Sequence, residues 1–143
     1  MKKTDANLNQ RFIEYCVTAE LFRGRPRVLA AVSGGADSIV MMNLLSRNSA
    51  ALGISVTVAH INHMIRPDAD ADMNFVEKAA GAACLPFVSE RCDVPALAAA
   101  THESIETVAR RARYEALGRI AEAAECQAIA TGHSMTDQAE TLL

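Results

Sequence analysis

Short apolar runs alternate with longer amphipathic stretches along most of the chain. The short runs are typical of buried strands, whereas the longer stretches repeat apolar residues every three or four positions, as one face of a helix does. The pattern predicts strands over 27–32, 54–61, 85–90 and 127–131. It predicts helices over 7–22, 38–52, 69–83, 103–125 and from Gly132 to Leu143. Gly53 is expected to cap the second of these helices at its C-terminal end.

This alternation of strand and helix predicts an α/β fold. The run 54–61 is β-branched and almost wholly apolar, which is typical of a parallel strand covered on both faces. Parallel strands are joined by right-handed crossovers, so we expect a doubly wound parallel sheet with helices on both faces. Ligands of such sheets bind at the carboxyl ends of the strands. The polar motifs that follow the strands are therefore the candidates for chemistry.

Length and charge narrow the class of protein. The chain has 143 residues and a formal net charge of −3, which allows one domain and argues against binding nucleic acid by bulk charge. No apolar run reaches the roughly 18 residues of a membrane span. Asp5, Arg11 and Glu14 interrupt any hydrophobic region behind the basic start, so secretion is excluded and a cytoplasmic location is expected.

The four cysteines show no C-x-x-C spacing of a zinc, cluster or redox site. We expect free, mostly buried thiols in a reducing compartment. They are Cys16, Cys84, Cys92 and Cys126.

The first motif that carries chemistry is Ser-Gly-Gly-Ala-Asp-Ser at 33–38, directly after a predicted strand. Gly34 and Gly35 allow the backbone to bend so that successive N–H groups face one concavity, which at a helix N-terminus suits phosphate oxygens. The motif lacks the Gly-Lys-Ser/Thr ending of a Walker A loop, and it is not G-x-G-x-x-G. A bare carboxylate beside phosphates would repel them, so Asp37 is either a Mg²⁺ ligand or a helix cap.

The second motif, at 132–141, follows the fourth predicted strand. His133, Asp137 and Glu140 are spaced i, i+4, i+7, so they share one face of the predicted last helix. Such a face, aimed at the loop 33–38, would hold Mg²⁺ and the phosphates that it bridges. The alternative is a solvated face whose carboxylates favour the helix N-terminus.

The third motif, at 60–66, contains two histidines. Three-residue spacing off a helix gives His60 and His63 no defined metal-ligand geometry, so we interpret them as structural. The acidic residues Asp68, Asp70 and Asp72 are best explained as capping the next helix.

The fourth motif, the arginine-rich stretch of helix 103–125, offers one unpaired cation. Glutamates one helical turn away are expected to pair with Arg110 and Arg111. Arg113 has Ala109 and Leu117 at those positions, which leaves it the freest to reach an anion. The alternative is a solvated basic face.

Together these motifs resemble the N-type ATP pyrophosphatase, or PP-loop, superfamily, and within it the N-terminal catalytic domain of the tRNA(Ile)-lysidine synthase family. The resemblance covers residues 25–143. It rests on S-G-G-x-D-S at 33–38, H-x-N-H-x-x-R at 60–66, the stretch with Asp70 and Asp72, S-I-E-x-x-A-R-x-x-R-Y at 104–114 and G-H-x-x-x-D-Q-A-E-T at 132–141. The chain departs from the family's usual residues at Met64, Ser134 and Thr136.

The resemblance implies a Rossmann-like fold of the adenine nucleotide alpha-hydrolase type. Because family members continue through further helical and tRNA-binding regions, it also implies that residues 1–143 are a domain incomplete at its C-terminal end. The implied activity is ligation of free L-lysine to C2 of the wobble cytidine of tRNA(Ile) through an adenylated base, with ATP and Mg²⁺. The tRNA would bind largely through regions outside this chain.

The resemblance also implies roles for individual residues. ATP would be bound by Ser33, Gly34, Gly35, Ala36, Asp37 and Ser38, with Asp37 on the metal. Arg113 would serve the α-phosphate or the tRNA, while His133, Asp137 and Glu140 would serve phosphate, metal or lysine. The general base among these last three stays open. So do two alternatives: another PP-loop tRNA-modifying enzyme such as a thiolase, which usually carries paired cysteines, or an ATP-binding fragment without activity of its own.

Overall fold

The computed structural model describes residues 3–132 and 140–142, with side chains from residue 7 to residue 132. The helices within these ranges are α1 Lys3–Thr18, α2 Ala36–Arg47, α3 Ser49–Leu52, α4 Ala69–Ala82, α5 Val94–Thr101 and α6 Ile105–Ala123. The strands are β1 Arg27–Ala31, β2 Ser55–Asn62, β3 Phe87–Arg91, β4 Ala128–Thr131 and β5 Glu140–Leu142. No helix in the described part of the chain is long and apolar enough to cross a membrane.

The strands form one sheet in the order β3-β2-β1-β4-β5. β1 pairs in parallel with both β2 and β4, and β2 pairs in parallel with β3. The prediction of a parallel α/β sheet is therefore confirmed for the four predicted strands, which correspond to β1, β2, β3 and β4. Their carboxyl ends lie at one edge of the sheet, where the motifs at 33–38 and 60–66 begin.

The side chains of β1 alternate between two cores, which explains why the strand is apolar at every position. Val28 and Ala30 pack with α2 and α4 on one face of the sheet. Leu29 and Ala31 pack with α6 on the other face. Val28 and Leu29 are both fully buried, so the helices cover the sheet on both faces, as predicted.

The region predicted as one helix over 38–52 is divided at Asn48. The Asn48 side chain donates to the carbonyl oxygen of Leu44 at 2.8 Å and to Oδ1 of Asn9 at 2.7 Å, which ends α2 and ties it to α1. Gly53, at φ 68°, caps α3 as predicted, and its N–H donates to Ala50 and Ser49.

The helix α5 was not predicted from the sequence. Asp93 is its N-cap and accepts a hydrogen bond from the N–H of Ala96 at 3.1 Å, and Pro95 stands in its first turn. Both are ordinary helix-start signals. Val94 and Ala98 of α5 pack against Val108 and Ala112 of α6, so α5 forms an outer layer on that helix.

The prediction of a helix from Gly132 to Leu143 is wrong at its end. Residues 140–142 form β5, antiparallel to β4, with Glu140 opposite Thr131. The physical reason is the edge of β4, whose backbone groups are satisfied by pairing with a further strand. Glu140 therefore does not stand on a helical face at i+7 from His133. His133 and Asp137 lie outside the described residues.

All four cysteines are free thiols, as predicted. They differ in exposure: Cys16 is buried, Cys92 and Cys126 are half-buried, and Cys84 is exposed. Burial raises the pKa of the Cys16 thiol to about 11, so it stays protonated at neutral pH.

Candidate functional site

The loop after β1 requires glycine for its backbone conformation. Gly34 has a φ of +102°, a region that L-amino acids with a side chain rarely adopt. A Cβ atom there would only touch Val76 at 3.5 Å, so space is not the constraint. Gly35 is the extended N-cap residue of α2. The chain therefore turns sharply from the sheet into the helix.

Serine hydroxyls hold this loop in shape. The buried Ser38 donates to the carbonyl oxygen of Gly35 at 2.8 Å and accepts from the N–H of Gly34 at 3.2 Å. Ser33 Oγ accepts from the N–H of Gly35 at 3.3 Å. Two of the N–H groups predicted to face a phosphate thus point to hydroxyls of the loop itself. A phosphate oxygen would take the place of those hydroxyls as acceptor.

Asp37 stands in the first turn of α2 and is half-buried. The cap interpretation of Asp37 is wrong, because Gly35 occupies the N-cap position and no side chain caps the helix. No hydrogen bond or ion pair engages the Asp37 carboxylate among the described residues. A free carboxylate beside a loop suited to phosphate fits Mg²⁺, which binds through one or two carboxylates together with substrate phosphates. The described residues contain no cluster of three metal-ligating side chains.

Gly132, the first residue of the second motif, lies against this loop. A Cβ atom at Gly132 would lie 3.3 Å from the carbonyl oxygen of Asp37 and 3.4 Å from Cα of Ser38. The end of β4 therefore packs directly on the first turn of α2. Of the motif at 132–141, this contact describes Gly132 alone; the prediction that His133, Asp137 and Glu140 face the loop 33–38 stays a prediction.

A cavity of about 420 Å³ opens beside the loop, at the carboxyl ends of β1 and β2. Its polar lining comes from Ser33, from the segment 60–66 and from Arg113 of α6, while Val32 and Leu117 provide apolar wall. Three of the sequence motifs, distant along the chain, thus meet around one space. Asp37 lies outside this lining, on the neighbouring turn.

Arg113 is the cavity cation without an ion pair in the described part of the chain. Its neighbours are engaged elsewhere: Arg111 makes two 2.8 Å contacts with the Glu103 carboxylate, and Arg110 lies over the Tyr114 ring at 5.8 Å. The glutamates one helical turn away are Glu106 for Arg110 and Glu115 for Arg111. Neither predicted ion pair is present among the described residues, so both predictions are wrong. Glu103 reaches Arg111 because the chain turns just before α6, at the left-handed His102. Of the three arginines in this motif, Arg113 is therefore the one whose guanidinium is not engaged by a neighbouring glutamate or aromatic ring, and its role toward an anion stays a prediction.

The two histidines of the 60–66 motif differ in their contacts. His60 is buried, and its Nδ1 lies 2.8 Å from the carbonyl oxygen of Val32, which supports the structural interpretation. His63 lines the cavity, and its Nδ1 is buried without a hydrogen-bond partner among the described residues. Burial, followed by the positive charges of Arg113 and His60, lowers the pKa of His63. The imidazole of His63 is therefore held neutral at pH 7.

Asn62 and the acidic residues near α4 form a network that the sequence interpretation missed. Asp68 is the N-cap residue of α4 but makes no side-chain cap bond. Instead Asp70 binds Asn62 and Arg91, and Asp72 binds Arg66. The capping interpretation of the three aspartates is therefore wrong. The sequence offered no direct signal for this network, because the predicted strand ended at residue 61, whereas β2 extends to the buried Asn62.

Comparison with known proteins identifies one matching family and several relatives that share one name. The PP-loop domain family matches residues 3–143. The tRNA(Ile)-lysidine synthase of Geobacter sulfurreducens is 45% identical over 125 residues, which are 86% of this chain and 26% of the relative. That of Chlorobaculum tepidum is 38% identical over 144 residues, 100% of this chain and 42% of the relative. That of Thermus thermophilus is 42% identical over 118 residues, 82% of this chain and 22% of the relative.

The chain thus spans less than half the length of these three relatives. Among solved structures, it is similar to the U34-tRNA thiolase NcsA from Methanococcus maripaludis with its [4Fe-4S] cluster, at a TM-score of 0.71 and 17% identity. The match covers 90% of this chain and 46% of the thiolase chain. This likeness shows the fold.

Proposed function

Because the chain belongs to the PP-loop domain family, we propose that it is the ATP-binding catalytic domain of a tRNA(Ile)-lysidine synthase. The observation that carries the proposal is the meeting of the loop 33–38 with the cavity lined by Arg113 at one edge of the sheet. The relatives' name indicates tRNA(Ile) as a substrate, and we propose free L-lysine as the second substrate.

The proposed ligation has two steps. In the first, the C2 carbonyl oxygen of the wobble cytidine attacks the α-phosphorus of ATP, and the bond to the bridging oxygen breaks to release pyrophosphate. In the second, the amine nitrogen of lysine attacks C2, and the C2–O bond breaks so that AMP leaves with the oxygen. Adenylation is needed because the cytosine carbonyl is a poor electrophile, whereas AMP is a good leaving group.

The loop 33–38 would bind the departing pyrophosphate through its backbone N–H groups. Asp37 would hold Mg²⁺, which when bound neutralises the negative charge that develops on the phosphates. Arg113, which lines the cavity, would contact the α-phosphate, because a guanidinium can give a phosphate two parallel hydrogen bonds. Its positive charge would stabilise the pentavalent transition state.

Proton transfer would fall to the second motif. His133, Asp137 and Glu140 are the candidates for the general base that receives a proton from the lysine amine. They remain candidates together, since His133 and Asp137 lie outside the described residues and only the backbone of Glu140 is described. Gly132, which begins the motif, is in contact with the loop turn.

The second candidate function is an ATP-binding domain that has no activity by itself. It is favoured by a net charge of −3 and an aromatic content of 4%, which offer little attraction or stacking for an anticodon loop. In this case the tRNA would be held by regions that the relatives have and this chain does not contain.

We expect the enzyme to act in the cytoplasm.

A tRNA-dependent ATP–pyrophosphate exchange assay tests the proposal. We expect labelled pyrophosphate to enter ATP only when tRNA(Ile) with its wobble cytidine is present, and lysine to convert the adenylated tRNA to product with release of AMP. The same tRNA with uridine at the wobble position is the control. ATP binding without exchange at any tRNA concentration would support the second candidate, and equal exchange with the control tRNA would contradict the proposed chemistry.

A further inference from the structure

Asn62 is a buried polar residue at the carboxyl end of β2. Its side chain is 2% exposed and is satisfied at both ends. Oδ1 accepts a hydrogen bond from the N–H of Met64 at 2.9 Å, and Nδ2 donates to Oδ1 of Asp70 at 2.8 Å. Both partners lie outside β2, so Asn62 connects the strand to the segment that follows it and to the first turn of α4.

Asp70 extends this connection to a third element. Its Oδ1 also accepts from Nη1 of Arg91, the last residue of β3, at 2.7 Å. The Asp70 and Arg91 side chains are 64% and 52% exposed, so water weakens that ion pair. The bond from the buried Asn62 is better shielded from water and is therefore the firmer of the two contacts on Asp70.

Met64 shows why the segment needs such support. Its φ is 58°, in the left-handed region that a residue with a side chain adopts at a cost of about 1 kcal/mol or more. The Asn62 side chain accepts from the N–H of this residue, a local turn that holds the unfavourable conformation in place. Glycine at position 64 would adopt the same φ without strain.

The segment held in this way forms one wall of the cavity. His63, Met64 and Arg66 all line it, as does Arg113. The backbone of the segment is attached to the β3–α5 junction by bonds from Cys92 to Asn62 and from Val94 to His63. These bonds hold residues 62 and 63, and the Arg66 carbonyl oxygen accepts from the N–H of Ala69. Between these points, the Asn62 side chain binds the N–H of Met64.

We propose that Asn62 is a positioning residue, which fixes the cavity wall 63–66 through Met64 and Asp70. Asn62 also lines the cavity, but its Oδ1 and Nδ2 atoms are already hydrogen-bonded to Met64 and Asp70. This inference rests on the proposed function in one respect: the ligand of the cavity is taken to be ATP. The competing explanation is that Asn62 stabilises the fold and has no selective effect on the cavity.

A matched variant separates these explanations. Asn48 is likewise buried, at 5% exposure, and its side chain makes two hydrogen bonds, but it does not line the cavity. Asn62→Ala and Asn48→Ala are compared at a temperature where circular dichroism shows both chains folded. Titration calorimetry with Mg·ATP is expected to give about tenfold weaker binding for Asn62→Ala and less than twofold for Asn48→Ala. Equal losses in both variants would overturn the inference.

A second measurement needs no ligand. NMR titration of the His63 ring reports the pKa that burial and Arg113 lower. In Asn62→Ala, we expect this pKa to rise toward 6.5 as the wall loosens, whereas Asn48→Ala should leave it unchanged. An unchanged His63 titration in Asn62→Ala would overturn the inference. Failure of the unsubstituted chain to bind Mg·ATP would instead count against the proposed function.

A double variant tests whether Asn62 acts on the cavity wall through Asp70. Asp70→Ala and Asn62→Ala should together weaken binding by little more than either alone, because each breaks the same connection. Arg91→Ala removes only the exposed ion pair on Asp70 and should have less than a twofold effect. Additive losses in the double variant would show that Asn62 does not act through Asp70.

Discussion

Nδ1 of His60 lies 2.8 Å from the carbonyl oxygen of Val32, and both residues are buried. Because a carbonyl can only accept, Nδ1 carries the proton of this bond. Val32 immediately precedes Ser33, so the imidazole fixes the point where β1 passes into the loop 33–38. The backbone N–H of Val32 is bound in turn to the carbonyl oxygen of Ala59.

His60→Ala is expected to lower the free energy of unfolding by about 1–3 kcal/mol, because it leaves the buried Val32 carbonyl without its partner. Urea denaturation measures the change. His102→Asn is the control: His102 is exposed and has a φ of 59°, a conformation that asparagine tolerates. Equal stability of His60→Ala and the unsubstituted chain would show that the hydrogen bond contributes nothing.

Asp37→Ala is expected to abolish the dependence of ATP binding on Mg²⁺. Its carboxylate has no partner among the described residues, so the substitution removes a cation ligand without breaking a structural bond. Calorimetry with ATP, in the presence and absence of Mg²⁺, measures the effect. Glu77→Ala, an exposed acidic residue of α4, is the control for net charge. Unchanged Mg·ATP affinity in Asp37→Ala would show that Asp37 does not bind Mg²⁺.

Arg113→Lys is expected to reduce adenylation at least tenfold, or by about 1.4 kcal/mol of transition-state stabilisation, because lysine cannot give a phosphate two parallel hydrogen bonds. The rate of ATP–pyrophosphate exchange measures this loss. The fold should remain intact, because Arg113 is only half-buried and is not among the α6 residues that form the hydrophobic core. Arg110→Lys, at the residue over Tyr114, is the control. Full exchange activity in Arg113→Lys would support the alternative, that Arg113 belongs to a solvated basic face of the helix and does not contact the phosphate.

Gly132→Ala is expected to weaken Mg·ATP binding and lower stability by about 1–3 kcal/mol, because its Cβ would press on the carbonyl of Asp37 at 3.3 Å. Calorimetry and urea denaturation measure the two effects. Gly118→Ala is the control: a Cβ there meets nothing within 4 Å, and alanine in helix α6 should raise stability by about 1 kcal/mol. If Gly132→Ala behaves like Gly118→Ala, the packing of β4 on α2 is loose.

His63 is expected to make stability fall as the solution becomes more acidic. Its pKa is lowered from 6.5 by folding, so between these two pKa values the unfolded chain binds more protons than the folded chain. The free energy of unfolding should therefore decrease as the pH drops through 6.5 toward the lower pKa of the folded state. His63→Gln should reduce this slope in urea denaturation between pH 7.5 and 5.5. The same slope in both proteins would exclude His63 as its source.

The sequence predicted those parts of the fold that depend on local pattern. The apolar runs around Val28 and Val58 locate buried strands because both faces of the sheet are covered. Contacts between distant residues were not predictable in this way. Asn48 divides a continuous helical pattern because it binds Asn9, 39 residues earlier, and Glu103 replaces Glu115 as the partner of Arg111 only once the chain has turned.

The candidate site likewise contains some features that local sequence pattern predicts and others that depend on contacts in three dimensions. The glycines at 34 and 35 and the free Arg113 are apparent from residue type and spacing alone. The roles of Ser38 and Asn62 were not, because each depends on which backbone N–H group its side chain reaches in three dimensions. The roles assigned to His133, Asp137 and Glu140 stay predictions.

The central place of β1 determines when the protein can fold during synthesis. One edge of β1 pairs with β2, its near neighbour in sequence, but the other pairs with β4, where Val28 stands opposite Ala128. While the chain is still on the ribosome, the strand that leads into the loop 33–38 has an open edge until about a hundred further residues have emerged. At ~5–20 residues per second, that interval lasts roughly 5–20 seconds.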